Sequence, residues 1–168
     1  MEAKEIYERL ERRFGGKVTG FKGDVFDPCL HVDPQAIVEV CRFLHDEPGL
    51  NFEILSDLTG LDLPKENKIE VVYHLYSYSR RHQIILKVGL PRGDPGVSTL
   101  EGVWKAANWM EREVFDLFGV SFEGHSDLRR ILLPEDWVGH PLRKDYVEQE
   151  EYDGISTHRE PLVEKLLR

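Results

Sequence analysis

The sequence predicts an α+β fold, in which a single domain with a mostly antiparallel sheet packed against helices precedes an extended, irregular C-terminal tail. Three observations favour this fold. The length of 168 residues suits one domain. Two strand-like segments, 69–78 and 83–90, flank a short polar turn. From Ser121 onward, glycine and proline interrupt every periodic pattern. We therefore expect a domain over residues 1–120 and a tail over residues 121–168.

The N-terminal segment predicts a helix followed by short strands. Ile6, Leu10 and Phe14 recur at helical spacing, and two glycines follow them and end the pattern. Residues 17–21 and 29–32 are each typical of a short strand.

A second helix is expected to begin at Asp33-Pro34. The aspartate can accept a hydrogen bond from a free backbone N–H, and proline suits the first helical position. The helix should end before Pro48-Gly49. Its apolar face comprises Ile37, Val40, Cys41 and Leu44.

The middle of the chain predicts strands. Residues 52–63 fit a helical turn or a strand, and we expect a turn that leads into a strand at 58–61. Segments 69–78 and 83–90 predict an antiparallel hairpin. Its aromatic and basic side chains could also form a stacking surface for bases or flavin, although alternating aromatics on a half-buried hairpin are the simpler interpretation. These side chains are Tyr73, Tyr76, Tyr78, Arg80, Arg81 and His82.

A third helical region should follow the loop at 91–96. Ser98 is expected to cap it, Asn108 to mark a break in it, and Gly119 to end it after Phe118. Its apolar face comprises Trp104, Ala107, Val114, Phe115 and Phe118.

Charged residues on this helix indicate an ion-pair network. Glu111 falls at the centre of the apolar face, so its carboxylate needs a cationic or hydrogen-bond donor partner. Arg112 and Asp116 are four residues apart and can pair with each other. Glu113 points to the opposite side.

Composition excludes several classes of function. The net charge is −9, from 22 Lys and Arg against 31 Asp and Glu, and this acidic balance disfavours nucleic-acid binding. No apolar run approaches the roughly 20 residues of a membrane-spanning helix, and the N-terminus has no secretory-signal pattern. Cys29 and Cys41 lack a CxxC spacing and are interpreted as free thiols in a reducing compartment.

The tail contains apolar residues that a mere linker would lack. They are Phe122, Leu128, Ile131, Leu132, Leu133, Trp137 and Leu142. Such side chains need a surface to bury against, and if the core of the domain is complete that surface belongs to another protein. Arg129, Arg130, Arg143 and Lys144 lie among acidic residues, and this mixture favours protein contact over polyanion binding.

A metal or catalytic site is an alternative use of the charged residues. Carboxylates and histidines suited to such a site are Glu111, Glu113, Asp116, His125 and His140. However, the sequence has no HxxxH or HExxH motif, nor a Glu-x-x-His on this helix face. A structural network that fixes the tail is therefore the favoured interpretation.

Two parts of the chain are similar to a known family. The first begins at Glu111-Arg112-Glu113, continues through Asp116-Leu117-Phe118-Gly119 and includes FEGHSDLRRIL at 122–132; the second is GHPLRKDY at 139–146. These strings resemble the C subunit of bacterial respiratory complex I, the thirty-kilodalton subunit family. The agreement is close over about residues 98–146 and looser before them. Ser126 stands where the family usually has proline.

The resemblance implies a non-catalytic scaffold in the peripheral arm of the proton-pumping NADH:quinone oxidoreductase. The tail would wrap the D subunit, which lines the quinone site, and the B and I subunits would also be neighbours. The chain would hold no cofactor, since FMN and the iron–sulfur clusters belong to other subunits. It would lie peripherally, at the cytoplasmic face of the bacterial inner membrane. Residues expected at interfaces or in supporting contacts are Glu111, Arg112, Glu113, Asp116, His125, Arg129, Arg130, Trp137, Gly139, His140, Pro141, Leu142, Arg143, Lys144 and Asp145.

Two other functions remain open on the sequence. The same domain occurs in membrane-bound nickel–iron hydrogenases, formate hydrogenlyase and F420-linked dehydrogenases; the end of the chain at Arg168 favours a separate subunit over a fusion. A protein of another class, a stand-alone metal-dependent hydrolase, would use the carboxylates and histidines named above.

Overall fold

A computed structural model of the protein describes residues 1–157, so the end of the expected tail, 158–168, lies outside the described residues. The helices are α1 (Ala3–Phe14), α2 (Ile37–Asp46) and α3 (Ala107–Phe118). The strands are β1 (Val18–Lys22), β2 (Cys29–Val32), β3 (Ile54–Leu63), β4 (Lys68–Ser77), β5 (His82–Pro91), β6 (Gly96–Ser98), β7 (Ser121–Glu123), β8 (Glu151–Tyr152) and β9 (Ile155–Ser156). Of the helices in residues 1–157, none has the length and apolar character needed to cross a membrane.

The main sheet confirms the predicted α+β class. Its strand order is β1-β2-β5-β4-β3, with β1 and β3 at the two edges. Only the β2–β5 pair is parallel in this sheet. The expected hairpin is formed by β4 and β5, which pair from Lys68 opposite Pro91 to Ser77 opposite His82.

The first two helices form where the sequence predicts them. Ile6 and Leu10 of α1 are fully buried, and the helix ends at Gly15, whose φ of +56° suits glycine. The Asp33 side chain accepts a hydrogen bond from the N–H of Gln35. A short 3₁₀ turn (Pro34–Ala36) then leads into α2.

Two boundaries differ from the prediction. Strand β3 begins at Ile54, well before residue 58. The sequence pattern does not predict this start, because a bulge between Leu55 and Asp57 breaks the alternation by which a strand is recognised. Ser98 does not cap a helix, since it ends β6, which pairs in parallel with β7. The N–H of Thr99 continues that pairing to the carbonyl of Glu123, so α3 starts only at Ala107.

Apolar side chains from all three helices pack against one face of the sheet and form a single core with it. The largest fully buried side chains are Tyr73, Phe52, Phe122, Ile6, Leu10, Leu30, Ile37, Leu44, Leu50, Ile69, Leu75 and Ile84. Helix α3 packs closely on β3 at Gly60, where an added Cβ would lie 2.7 Å from the Phe118 ring. The opposite face carries a separate small cluster, Cys29, Val72 and Ile85.

Candidate protein-interaction site

The Asp116 carboxylate is buried on α3 and holds the tail by its backbone. Its Oδ2 accepts hydrogen bonds from the N–H groups of Ile131, Leu132 and Leu133 at 3.0, 2.8 and 2.9 Å. Its Oδ1 accepts one from Arg130 Nη1 at 2.6 Å. Burial alone would raise the pKa of Asp116, but these backbone donors and the guanidinium outweigh burial and lower it. The carboxylate therefore stays ionised inside the protein.

The tail also satisfies the backbone at the end of α3. The Asp116 carbonyl accepts from Arg130 Nη1 at 3.2 Å and lies 2.9 Å from His140 Nδ1, so that nitrogen carries the proton. The Leu117 carbonyl accepts from the N–H of Leu142, and the Phe118 carbonyl from Arg143 Nε at 2.7 Å. The last turn of a helix lacks internal donors for its carbonyls, and here the tail supplies them.

Arg130 links these contacts to the next part of the tail. Its Nη2 donates to the carbonyls of Trp137 and Gly139 at 2.9 and 3.1 Å. Trp137 is half-buried, and its Nε1 donates to the Tyr146 hydroxyl at 3.1 Å. Because Gly139 has a φ of +83°, the chain can turn back toward α3 there.

The expected pairing of Arg112 with Asp116 is wrong. Arg112 instead donates to the carbonyls of Arg129 and Arg130 at 3.2 and 3.3 Å, and lies 3.8 Å from the Asp127 carboxylate. Neighbouring positions on a helix surface can pair, but the three amides and Arg130 satisfy Asp116 more fully. Glu113 is exposed.

Glu111 has the donor partners that its position requires. Its Oε1 accepts from the N–H of Leu100 at 2.7 Å and its Oε2 from the Thr99 hydroxyl at 2.5 Å. His125 Nε2 lies 4.0 Å from Oε2 and 3.0 Å from the Asn108 carbonyl oxygen. Burial raises the pKa of Glu111 to about 7, although the two donors and His125 act against the increase.

A second ion-pair cluster, not foreseen from the sequence, holds the tail to β3. Arg92 donates to both oxygens of buried Asp62, at 2.7 and 2.9 Å, and to Asp145. The Lys144 N–H also donates to Asp62 at 2.7 Å. These donors, chiefly Arg92, lower the pKa of Asp62 to about 2 against the effect of burial. The sequence offers one sign of this site: the alternation of the strand places Asp62 on the same inward face of β3 as Leu58, where a charged side chain needs a partner.

Apolar side chains remain exposed on and beside the part of the tail that these contacts fix. We call Trp109, Leu132, Val138, Leu142 and Val147 the tail surface; each is between 48% and 84% exposed. Trp109 belongs to this set because Arg112, which binds the tail backbone, lies 5.2 Å from its ring. Apolar side chains exposed on one ordered segment are candidates for contact with another protein.

Of the residues named for a metal or catalytic site, the structure brings Glu111 and His125 within 4.0 Å of each other but does not gather the others around them. Within residues 1–157, no group of three or more His, Cys, Asp and Glu side chains is placed to hold a metal ion. Asp116 binds Arg130, His140 binds a backbone carbonyl, and Glu113 is exposed. A stacking surface on the hairpin is also disfavoured, because Tyr73 is fully buried in the core and His82 is buried against the Leu50 carbonyl.

Two buried carboxylates therefore fix a tail that exposes apolar side chains, and these features define a candidate protein-interaction site. Residues 30–152 match the family described as "Respiratory-chain NADH dehydrogenase, 30 Kd subunit". The chain therefore belongs to that family, as its resemblance to the C subunit of complex I predicted.

Curated relatives agree with this assignment. The C subunit of the NADH-quinone oxidoreductase from Roseiflexus sp. (strain RS-1) is 49% identical over 144 residues, which span 83% of this chain and 81% of the relative. The protein of the same name from Chlorobium phaeobacteroides is 40% identical over 156 residues, 92% of this chain and 94% of the relative.

Two solved structures share the fold. The trypsin-resistant fragment of Nqo5 matches with a TM-score of 0.60 and 26% identity, over 76% of this chain and 100% of the fragment. A chain of the membrane-bound sulfane sulfur reductase, an archaeal respiratory membrane complex, matches with a TM-score of 0.72 and 27% identity, over 86% of this chain and 85% of that chain.

Replacing Asp116 with asparagine should release the first part of the tail. Asp116→Asn removes the buried charge that half-buried Arg130 balances and turns an NH₂ group toward backbone donors, which should cost about 3–5 kcal/mol. In hydrogen exchange, the amides of Ile131, Leu132 and Leu133 should exchange much faster, while Glu113→Gln should leave them unchanged. Unaltered exchange in Asp116→Asn would show that the carboxylate does not hold this segment.

Replacing Glu111 with glutamine should remove a pH dependence of stability. The carboxyl group has a folded-state pKa of about 7 against an ordinary value of 4.5, so its stabilising effect is complete below pH 4.5 and lost as pH rises through 7. Glutamine resembles the neutral acid and has no charge to lose. In urea unfolding, Glu111→Gln should match the unaltered protein near pH 4.5 and exceed its stability by about 1–3 kcal/mol at pH 8. An equal pH dependence in both proteins would contradict the assignment; Glu113→Gln is the control.

Proposed function

We propose that the protein is a non-catalytic scaffold subunit in the peripheral arm of an NADH:quinone oxidoreductase. The complex would transfer electrons from NADH to quinone, coupled to proton translocation, through other chains. Family membership and the relatives named as the C subunit of NADH-quinone oxidoreductase support this role. The observation that carries it is the tail: polar contacts from α3 and β3 fix its backbone, while the Leu132, Val138, Leu142 and Val147 side chains on it remain exposed.

The partner of the tail surface, in this proposal, is chiefly the D subunit, which lines the quinone site, with the B and I subunits as further neighbours. A tail that is already ordered loses little conformational entropy on binding, so its contacts contribute more fully to affinity. The tail surface combines an exposed tryptophan and aliphatic side chains with nearby arginines, a composition enriched at protein interfaces. The scaffold would thus hold the D subunit in position within the arm.

The chain is proposed to hold no redox cofactor, with FMN and iron–sulfur clusters in other subunits. Cys29 and Cys41 are buried free thiols that belong to different apolar clusters. Burial raises the pKa of the Cys41 thiol well above its ordinary value, which opposes the thiolate form that ligates iron. Attachment would be peripheral, at the cytoplasmic face of the bacterial inner membrane.

A related respiratory complex is the second candidate assembly. The archaeal membrane-bound sulfane sulfur reductase contains a chain of this fold that covers 86% of the protein. The two assemblies differ in the proteins that accompany the chain. Purification of the native complex therefore separates them: NADH-oxidising subunits support the first candidate, and a nickel–iron hydrogenase-type large subunit without them supports the second.

Charges placed on the tail surface should prevent assembly without unfolding the chain. Leu132→Asp and Val138→Asp alter exposed side chains, so the melting temperature should change little. Burying either aspartate in an interface leaves an unpaired charge, so recovery of the D subunit with the tagged chain should fall about ten-fold or more. Leu132→Met is the matched control and should retain the D subunit. Normal recovery with both aspartate variants would contradict the proposed interface.

Trypsin should distinguish the free chain from the assembled one. Lys144 is exposed in an irregular segment, so local opening of its contact with Asp62 should allow cleavage there in the free chain, and a covering subunit should protect it within the complex. Arg12, exposed on α1 and within regular helix, provides an internal comparison. Mass spectrometry of the fragments over time measures both sites. Equal cleavage after Lys144 in the two states would contradict burial of this part of the tail.

A further inference from the structure

The loop between β1 and β2 exposes an aromatic side chain almost completely. Phe26 is 96% exposed and its neighbour Val25 is also exposed. We call residues 23–28 the β1–β2 tip. Single exposed apolar residues are common, but a phenylalanine with almost no intramolecular contact gives nothing to the stability of its own domain.

Two carboxylates flank this side chain. Asp24 and Asp27 are both exposed, and neither forms an ion pair with any residue of the described chain, 1–157. Among residues 1–157, the Asp27 carboxylate accepts a single hydrogen bond, a long one of 3.5 Å from Gln83 Nε2. An apolar anchor bordered by unpaired negative charge fits an apolar pocket with basic residues at its rim.

The tip is continuous with further apolar surface. Asp27 lines a depression together with Ile54, Tyr76, Tyr78 and Ile85. Tyr78 is 68% exposed and its ring meets that of Tyr76 edge to face, with centroids 5.0 Å apart. A partner that accepts Phe26 would therefore also meet tyrosine side chains, which are enriched at protein interfaces.

The geometry of β1 favours side-chain insertion over strand addition. Its free edge belongs to a strand of five residues with a register shift between Thr19 and Lys22. Gly20 within it has a φ of +62°, which departs from extended backbone. An incoming strand would find no regular row of N–H and C=O groups, so Phe26 itself is the feature that a partner can bind.

The tip is separated from the tail attachment, because it follows an edge strand and approaches β3 at the Ile54 end, whereas Asp62 lies near the other end of β3. The order β1-β2-β5-β4-β3 places β1 at one edge and β3, which binds the tail through Asp62, at the other. We propose that the β1–β2 tip is a second docking site, at which Phe26 inserts into an apolar, basic-rimmed pocket of a protein subunit other than the one that covers the tail surface. This proposal rests on the proposed function, since it requires an assembled complex.

Photo-crosslinking in the purified complex tests this arrangement. Benzoylphenylalanine is placed at Phe26 in one preparation and at Val138, on the tail surface, in another, and the adducts are identified by mass spectrometry. We expect each position to crosslink to a different subunit. An adduct from position 26 only to lipid, only within this chain, or to the same subunit as position 138 would overturn the proposal, as would no adduct.

The position 138 result separates this proposal from the proposed function. If position 138 crosslinks to a subunit of the complex and position 26 to none, the scaffold role stands and the second docking site is wrong. If the chain does not copurify with the complex at all, the proposed function fails first.

Substitutions then test the chemistry of the pocket. Phe26→Ser should reduce retention of the neighbour that position 26 captures about ten-fold or more, as expected for an aromatic anchor, whereas Phe26→Leu should retain most of it. Asp24→Lys combined with Asp27→Lys should weaken the same contact through repulsion by the basic rim. Retention of the D subunit serves as the control in each preparation. Unchanged retention of the captured neighbour in Phe26→Ser would overturn the proposal.

Discussion

The C-terminal turn of α3 is the constraint on which the tail depends. A helix that ends against other parts of the protein must find donors for its last carbonyl groups. Here Gly119 leaves the helix in a left-handed conformation, and the donors come from His140, Leu142 and Arg143. The Arg143 guanidinium is positively charged and the other donors are N–H groups, so all of them interact favourably with the negative end of the helix dipole. The helix and the tail therefore stabilise each other: the last carbonyls of α3 lack donors without the tail, and the tail lacks these acceptors without α3.

Two buried aspartates fix the tail to the domain, and both stay ionised for the same reason. The Asp116 carboxylate accepts hydrogen bonds from three backbone N–H groups and from Arg130, and the Asp62 carboxylate from one backbone N–H group and from Arg92. A lowered pKa means that the stabilisation is complete above the ordinary value of 3.8 and is lost as pH falls through the folded-state value, about 2 for Asp62. The tail is thus held by interactions that acid weakens only far below neutral pH. The pKa of Glu111 is shifted in the opposite direction, upward, because the effect of burial exceeds that of its two hydrogen-bond donors.

Local sequence patterns predicted those parts of the fold that local contacts form. The β4–β5 hairpin, the apolar face of α1 and the Asp33 cap each rest on residues close in sequence. The partners of the Asp116 carboxylate lie 14 to 17 residues away, and Lys144 lies 82 residues from Asp62. Spacing rules for helices cannot reach such partners, which is why Arg112 was paired wrongly and Asp62 was missed. The motifs shared with the family, at 111–132 and 139–146, indicate the segment that contacts α3 and β3 but not its individual contacts.

The two surfaces of the protein impose a mechanical requirement on the sheet between them. If the proposed scaffold held one neighbour at the tail surface and another at the β1–β2 tip, the sheet would have to resist deformation across all five strands. The central strands β4 and β5 pair along their whole length, and the helices cover one face with a continuous core. Close-packed interiors transmit displacement instead of absorbing it. In the proposed arrangement, a shift of either neighbour would therefore be transmitted to the other, and the domain would fix the distance between two subunits.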